Sequence, residues 1–483
     1  MKKCVLISAI ACLCAVDAFA SPADAVLESR LRAAAAILDA QLSRESVPGA
    51  AFGIVRDQEL VWTHNFGVES LDTESPVTSD SLFSICSISK LFNGVAVMDL
   101  VEAGKIDLDA PLAGYIGGLE LADTTGSEEP VTVRGVLTHA SGLPREGKRD
   151  YWADNSFPDD VGIATAIDTQ SRLYRSYDYW QYSNLGMAML GRAVATVSGK
   201  PWGEYVTNNV LIPLGMSRTT TDMPFDQVGS GFARGYYIRN AKGDRKPVDE
   251  HAFRAFAPAA GVASSVNDMA KFAAWHFRLQ ANGGEEVLRA ATQKTMLRVH
   301  WMGADFEPPA WGLAYAARRY GKQTLWGHGG YCPGSSAEFV VRLPAKIGIV
   351  GMVTANDVSP GATVQWLYDL TAPLFEALAE ESGDSSNDEP SDSPDFSDYE
   401  GYYVVENYDW DVYVALGRHG LNVFNVFTDD PNASMATFVH EEGDVFRRRR
   451  DNGDLAEAVT FERDSDGNVV SFVQHSYRST KRR

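Results

Sequence analysis

Cysteine and histidine are scarce in this chain. The 483 residues contain five cysteines, three of them within the first 14 residues, and nine histidines that are scattered along the sequence. Such usage excludes a disulfide-rich scaffold, and no grouping has the spacing of metal ligands. A glycine-rich phosphate-binding loop is also absent from the sequence. We therefore expect no metal and no cofactor.

Basic residues are few relative to acidic ones. The chain has 43 Lys and Arg against 64 Asp and Glu, for a formal net charge of −21. This balance disfavours nucleic acid and anionic membrane surfaces as partners. Part of the acidity lies in residues 379–398, where Ser, Asp, Glu and Pro dominate. That composition predicts a solvated acidic linker between two domains.

Long apolar runs are missing after the start of the chain. Lys2 and Lys3 precede an apolar run over residues 4–16, and Ala18-Phe19-Ala20 follows. This pattern predicts a cleavable signal peptide over residues 1–20. An uncleaved membrane helix is disfavoured because the run is short and Asp17 interrupts it. We expect a periplasmic or secreted bacterial protein without a stable membrane anchor.

The order of the predicted elements indicates the fold class. Residues 49–55 and 60–63 form a predicted β-hairpin, and helical segments follow it. Later strand-like runs cover residues 311–315, 323–326, 337–341 and 347–354. Strands early and late with helices between them predict an α+β domain over residues 25–378, in which the terminal segments share one antiparallel sheet. Short strand-like runs in residues 399–483 predict a small all-β meander or barrel.

A serine and a lysine stand three residues apart at the start of an apolar helix. The helix is predicted over residues 87–103, so that Ser87 and Lys90 lie on one face. A serine hydroxyl needs a neighbour to take its proton, and a desolvated lysine can do so because burial lowers its pKa. The pair alone is common, and a capped surface helix is the plain alternative.

Two further motifs follow in the chain. They are Tyr182-Ser183-Asn184 and His328-Gly329-Gly330, and the segment Leu137-Thr138-His139-Ala140-Ser141-Gly142-Leu143-Pro144 precedes them. With this order of motifs the chain resembles the serine β-lactamase and penicillin-binding-protein superfamily. The branch is the one containing class C β-lactamases, DD-carboxypeptidases, D-aminopeptidases and family VIII esterases. The resemblance covers residues 25–378 and implies an antiparallel sheet with helices on both sides.

The resemblance implies roles for three side chains. Ser87 would attack an amide, ester or lactam carbonyl and form an acyl-enzyme. Lys90, with Tyr182 nearby, would move the proton and later activate water. Which of the two is the base stays open at this point.

The resemblance also implies a substrate-binding and oxyanion set. Asn184 would hold the substrate amide and orient the lysine. The backbone N–H groups of Ser87 and Tyr331 would form the oxyanion hole, the latter on an edge strand. Gly329 and Gly330 would let the substrate approach that strand closely.

His328 departs from the commonest form of the third motif, which is Lys-Thr-Gly. The lysine and threonine bind the carboxylate of a β-lactam or of a terminal D-alanine. Histidine is only partly charged at neutral pH, and Gly329 has no hydroxyl. Histidine occurs at this place in peptidase and esterase members, so activity is expected but efficient β-lactam hydrolysis is not. A structural strand histidine is the alternative.

Cys86 and Cys332 would be the remaining cysteines after removal of the signal peptide. They flank the predicted nucleophile and the third motif. Carbapenem-hydrolysing class A β-lactamases place a disulfide at similar relative positions, so the resemblance implies a Cys86–Cys332 disulfide. Two buried thiols are the alternative.

Together these features predict an exported serine hydrolase that acts through an acyl-enzyme on D-amino-acid peptides, amides or small esters. A β-lactamase is the alternative within the same chemistry, and a non-catalytic peptidoglycan-fragment binding or sensor protein is the alternative from another class. The expected partner is a small-molecule or short-peptide substrate, with peptidoglycan-derived peptides among the candidates. The oligomeric state and the role of the C-terminal domain stay open.

Overall fold

The computed structural model describes residues 22–117, 125–126, 129–147, 151–160, 162–163, 171–304, 309–320, 322–383, 394–405, 408 and 410–482. The predicted signal peptide lies outside the described residues, as do residues 384–393 of the predicted linker. No helix in the described part of the chain has the length and apolar character needed to cross a membrane.

The chain divides into two compact units. One, here called the sheet unit, comprises residues 34–372 and 426–434, and the other, the barrel unit, comprises the described parts of residues 1–33, 373–425 and 435–483. The helices are α1 (Pro22–Arg44), α2 (Ser89–Glu102), α3 (Val133–Leu137), α4 (Tyr151–Asp154), α5 (Asn184–Ser198), α6 (Trp202–Val206), α7 (Ala257–Ala260), α8 (Val266–Asn282), α9 (Ala290–Met296), α10 (Pro360–Gly383) and α11 (Pro431–Ser434).

An eight-stranded antiparallel sheet forms the centre of the sheet unit. The strands of this unit are β1 (Gly49–Arg56), β2 (Glu59–Gly67), β3 (Phe83–Ser84), β4 (Ala263–Ser264), β5 (Glu285–Glu286), β6 (Leu288–Arg289), β7 (Trp301–Met302), β8 (Ala310–Trp311), β9 (Ala316–Tyr320), β10 (Gln323–Cys332), β11 (Ser335–Arg342) and β12 (Ile347–Val353). The order of strands in the sheet is β2-β1-β12-β11-β10-β9-β8-β7. Because β1 pairs with both β2 and β12, the prediction that early and late strands share one antiparallel sheet is confirmed.

Both faces of the sheet are covered at the position of β1. Seven of the eight residues of β1 are buried, so side chains that point in opposite directions are all removed from water. Ala51 and Val55 share a core with Val266 and Phe272 of α8. This apolar core also contains most of α2, which is buried from Ser89 to Met98. The predicted nucleophile therefore precedes a helix fixed at the centre of the core.

The barrel unit contains a closed eight-stranded antiparallel barrel in chain order. Its strands are β13 (Gly401–Val405), β14 (Asp411–Gly417), β15 (Gly420–Asn425), β16 (Ala436–Glu442), β17 (Val445–Arg449), β18 (Leu455–Arg463), β19 (Val469–Gln474) and β20 (Tyr477–Lys481). Aromatic side chains such as Tyr403, Phe446 and Phe461 form its core. The predicted small β-domain is confirmed, and β20 completes the barrel by pairing with β13 and β19.

Candidate active site

A 3-10 turn, Cys86–Ile88, carries the predicted nucleophile and leads directly into α2. The sequence predicts a continuous helix from Ser87, whereas the chain enters it through Cys86, whose φ is +49°. Ser89 stabilises this turn, because its hydroxyl donates to the Cys86 carbonyl at 2.6 Å and accepts the Val262 N–H at 2.9 Å. Cys86 and Ile88 are buried, whereas Ser87 between them is partly exposed. The serine is thus held on a fixed turn with access to solvent.

Lys90 lies one turn further on and is completely buried. Its Nζ is 3.1 Å from Ser87 Oγ, 2.7 Å from Asn184 Oδ1 and 2.7 Å from the Ala259 carbonyl oxygen. A neutral amine has two N–H groups and one lone pair. The two carbonyl oxygens can only accept, so they take both N–H groups of a neutral Lys90 and leave the lone pair for the Ser87 hydroxyl.

The charge state of Lys90 follows from its surroundings. Burial lowers the pKa of Lys90 well below its ordinary value, and the nearby charge of Arg145 lowers it further, while Glu146 opposes the shift. A lowered pKa increases the fraction of the amine that is neutral at a given pH. The group is then able to accept a proton.

Tyr182 lies close to both Ser87 and Lys90. The Lys90 Nζ is 4.8 Å from the centre of the Tyr182 ring. Burial raises the pKa of Tyr182 well above its ordinary value, and a hydrogen bond with Ser87 opposes the rise. The phenol therefore holds its proton more tightly and Lys90 holds its proton less tightly, so that the environment moves the two pKa values in opposite directions.

The start of α5 fixes the second motif. Ser183 is its N-cap, and the serine hydroxyl accepts the Gly186 N–H at 2.8 Å and donates to the Pro144 carbonyl at 2.7 Å. The Asn184 N–H donates to the Arg145 carbonyl at 2.9 Å. The helix start is thus joined to the segment after α3, and the Asn184 side chain reaches Lys90.

Glu146 is a site residue that the sequence analysis missed. Its Oε1 accepts the Asn184 Nδ2–H at 2.5 Å, and its Oε2 accepts the Tyr151 hydroxyl at 2.8 Å. Burial raises the pKa of Tyr151, and the Glu146 charge adds to the rise. The sequence feature that could have pointed to Glu146 is its position, two residues after the segment Leu137–Pro144 that precedes the second motif.

The strand β10 carries the third motif past the nucleophile. It lies inside the sheet, but its pairing with β9 ends at Gly327, so residues 328–332 have no described partner strand on that side. A Cβ on Gly330 would lie 2.2 Å from the Ile85 carbonyl oxygen, so only glycine fits beside the chain that leads to Ser87. Tyr331 is 62% exposed. The predicted edge strand is therefore an edge only over its C-terminal half.

His328 presents a neutral ring. Its Nδ1 is 2.6 Å from the Gly329 carbonyl oxygen, which can only accept, so Nδ1 carries the proton. Burial lowers the pKa of His328 to about 3, and the hydrogen bond to the Gly329 carbonyl opposes the shift. The Nε2 lone pair is buried and has no hydrogen-bond partner among the described residues. The ring offers an acceptor rather than a positive charge.

Aromatic rings hold Tyr182 in place. The His139 ring centre is 4.3 Å from that of Tyr182 and 4.8 Å from that of Trp311. Trp311 also contacts His328, with ring centres 5.4 Å apart. His139 Nδ1 accepts the Ser183 N–H at 3.2 Å, so this ring is fixed to the second motif. Packing between these rings restricts the rotamer of the tyrosine.

A disulfide joins Cys86 to Cys332, with 5.7 Å between their Cα atoms. It connects the turn that carries Ser87 to the end of β10. The covalent bond and the close contact at Gly330 both fix the distance between Ser87 and the strand. Among the residues that the structure describes, no group of three or more His, Cys, Asp or Glu could hold a metal ion.

The similarity to known proteins agrees with this arrangement. A family model described as Beta-lactamase matches residues 34–372. The chain belongs to the beta-lactamase family. Its relatives include a protein named as a penicillin-binding protein and one named as an esterase.

Two curated beta-lactamase family relatives and one solved structure illustrate the likeness. Beta-lactamase-like protein 2 of Dictyostelium discoideum is 26% identical over 338 residues, 68% of this chain and 60% of the relative, so the chain spans less than two thirds of that protein. Penicillin-binding protein 4 of Amycolatopsis lactamdurans is 27% identical over 71% of this chain and 88% of its own length. The octameric penicillin-binding protein homologue from Pyrococcus abyssi shares the fold, with a TM-score of 0.59 and 22% identity over 94% of this chain and 99% of the homologue.

Proposed function

We propose that this beta-lactamase family member is an exported hydrolase in which Ser87 is acylated by D-amino-acid peptides, amides or small esters. The observation that carries the proposal is the position of the Lys90 amine, 3.1 Å from the Ser87 hydroxyl, with two carbonyl oxygens on its N–H groups. A buried neutral amine beside a serine is a general base beside its nucleophile.

Acylation begins when Ser87 Oγ attacks the substrate carbonyl carbon and its proton passes to Lys90 Nζ. The backbone N–H groups of Ser87 and Tyr331 then bind the oxyanion of the tetrahedral intermediate. As the intermediate collapses, the phenol of Tyr182 gives its proton to the leaving amine or alcohol and takes the proton held by Lys90. The products of this half-reaction are the Ser87 ester and the protonated leaving group.

Deacylation repeats these steps with water. Lys90, again neutral, takes a proton from the water through Tyr182 while the oxygen attacks the ester carbonyl. Collapse returns the proton to Ser87 Oγ and releases the acid. Lys90 is therefore the base in this proposal, and Tyr182 transfers protons as a neutral phenol, in agreement with the direction of their pKa shifts.

The leaving-group side of the site favours uncharged substrates. His328 is neutral at physiological pH because burial lowers its pKa to about 3. The nearby Arg318 guanidinium is 2.8 Å from the Glu338 carboxylate, which neutralises its charge. The Arg318 cation is thus already paired with a carboxylate. These features support esters, amides and peptide bonds whose leaving group has no carboxylate over β-lactams, which carry one.

The predicted signal peptide and the disulfide support export. Disulfides form and persist in oxidising compartments such as the periplasm, so the Cys86–Cys332 disulfide is consistent with such a location. We therefore include a periplasmic or secreted location in the proposal. The expected partner is a small molecule or short peptide, including peptides derived from peptidoglycan.

Three substrates distinguish the candidate activities. Protein comprising residues 21–483 is assayed with a p-nitrophenyl ester, a D-alanyl p-nitroanilide and a chromogenic cephalosporin, beside the Ser87→Ala variant. We expect turnover of the ester or the anilide, slow turnover of the cephalosporin, and an acyl adduct on Ser87 by mass spectrometry. Fast cephalosporin turnover without the other two would indicate a β-lactamase. Failure of a fluorescent phosphonate to label Ser87 would refute the acyl-enzyme proposal and favour a binding protein.

A further inference from the structure

The Glu146 carboxylate determines the orientation of the Asn184 side-chain amide. Glu146 Oε1 is 2.5 Å from Asn184 Nδ2, and Asn184 Oδ1 is 2.7 Å from Lys90 Nζ. An ionised carboxylate can only accept hydrogen bonds, so it must face the NH₂ group of the amide. The amide oxygen is therefore turned toward Lys90. With the opposite orientation, the amide would donate to Lys90 and take up the lone pair that the Ser87 proton needs.

The carboxylate itself is held from a second side. The Tyr151 hydroxyl donates to Glu146 Oε2 at 2.8 Å and accepts the Gly147 N–H at 2.8 Å. The Tyr151 ring is buried, and its centre is 4.8 Å from that of Phe256. On the exposed side, Arg145 Nε is 3.6 Å from Oε1. Glu146 thus has one orientation and connects the core to the amide.

We propose that Glu146 is a positioning residue that orients Asn184 and thereby keeps the lone pair of Lys90 directed at Ser87. The inference rests on the proposed function, in which Lys90 is the base. Glu146 contacts neither the serine nor the reacting carbonyl, so it acts through Asn184. The same carboxylate also places a negative charge near the amine.

The charge near Lys90 has a measurable consequence. The groups that face the amine are Arg145, Glu146, Tyr182, His139 and His328. Burial lowers the pKa of both histidines and raises that of Tyr182, so these three are neutral at physiological pH. Arg145 lowers the pKa of Lys90, and Glu146 raises it. Removal of the Glu146 charge should therefore lower the pKa of Lys90 and extend activity to lower pH.

The test compares three variants of the same chain. In E146Q the carboxamide is nearly isosteric but uncharged, and we expect kcat to fall about tenfold to a hundredfold, the range for loss of a hydrogen bond to a charged group, with KM nearly unchanged. The acid limb of kcat/KM against pH should move to lower pH. In E146D the charge remains, so the limb should stay in place while kcat recovers only in part.

The matched control is E204Q on α6, where the same substitution is made at an exposed side chain paired with Lys200. Its rate and pH profile should equal those of the unmodified protein. Wild-type behaviour of E146Q would overturn the inference. A loss of kcat without movement of the acid limb, equal in E146Q and E146D, would indicate a purely structural role and would also overturn it.

A structural readout separates this inference from the proposed function. In crystals of E146L, which has no acceptor at this position, the Lys90 Nζ–Asn184 Oδ1 distance, 2.7 Å with Glu146 present, should lengthen. An unchanged distance would contradict the inference whether or not the protein turns over any substrate. Absence of turnover and of Ser87 labelling in the unmodified protein would refute the proposed function instead.

Discussion

Removal of the Cys86–Cys332 disulfide should destabilise the sheet unit strongly. The two cysteines are 246 residues apart, and a cross-link that closes so long a loop removes much of the entropy of the unfolded chain. The chain-entropy relation gives a loss of about 5 kcal/mol in the free energy of unfolding for the Cys86→Ser/Cys332→Ser variant. This is comparable with the total stability of many domains.

Urea denaturation followed by tryptophan fluorescence measures this loss. Nine of the ten tryptophans lie within residues 34–372 and one, Trp410, lies outside them, so the signal reports mainly on the sheet unit. The unmodified protein should lose the same stability when a reductant is added. The double-serine variant should not respond to reductant, which controls for other effects of the reagent.

Two results would refute this reasoning. Titration of two thiols in denatured, unreduced protein comprising residues 21–483 would mean that the disulfide does not form. A difference of less than about 1 kcal/mol between the oxidised protein and the double-serine variant would mean that the cross-link does not limit the unfolded chain as the relation assumes.

Further predictions concern the site and the acid stability of the core. Gly330→Ala should lower kcat/KM for the ester at least about a hundredfold, because the new Cβ would lie 2.2 Å from the Ile85 carbonyl oxygen and displace β10; wild-type activity would contradict this. Activity should rise with pH through the lowered pKa of Lys90, so a kcat/KM profile with its acid midpoint near the ordinary lysine value would refute Lys90 as the base. His276, bonded to the Tyr315 hydroxyl at 2.8 Å, has its pKa lowered by burial to about 4. The unfolded state therefore binds the proton first as pH falls below about 6.5, and about 3 kcal/mol of stability should be lost between pH 6.5 and 4. Urea midpoints of H276Q should vary less over this range, and an equal slope would contradict the assignment.

The hydrophobic patterns predicted the strands that are buried on both faces. The strands β1, β11 and β12 lie inside the sheet and are buried on both faces. Such strands are recognisable in the sequence because their residues form continuous apolar runs. The barrel strand β20 has no hydrophobic pattern, because Tyr477–Lys481 is mostly polar and only Ser479 within it is buried. Its place is set by pairing with β13, far away in the chain, and not by local pattern.

The sequence also misplaced one strand near the site. A strand was predicted over residues 311–315, but β8 ends at Trp311 and Ala314 has a φ of +67°. The next strand, β9, contains Arg318 and Arg319, which hide its β-pattern. Positive φ values at Ala314 and Cys86 have no signal in the sequence because neither residue is a glycine or an asparagine.

The spacing of Ser87 and Lys90 predicted that the two side chains lie on one helix face, because helical geometry depends only on residues that are near in sequence. The contact between Glu146 and Asn184 joins residues 38 positions apart, and no periodic pattern encodes it. The orientation of an amide and the tautomer of His328 depend on hydrogen-bond partners that only the three-dimensional structure brings together.

Closure of the C-terminal barrel restricts how that unit can meet other molecules. The strands described over residues 401–481 are each paired on two sides, with β20 returning to β13. None of these described strands is therefore an edge strand that an additional peptide strand could extend along its length. Any recognition by these strands must rely on side chains and on the turns at the barrel ends, so point substitutions at exposed residues such as Trp410 and Tyr477 can map it without disturbing the backbone.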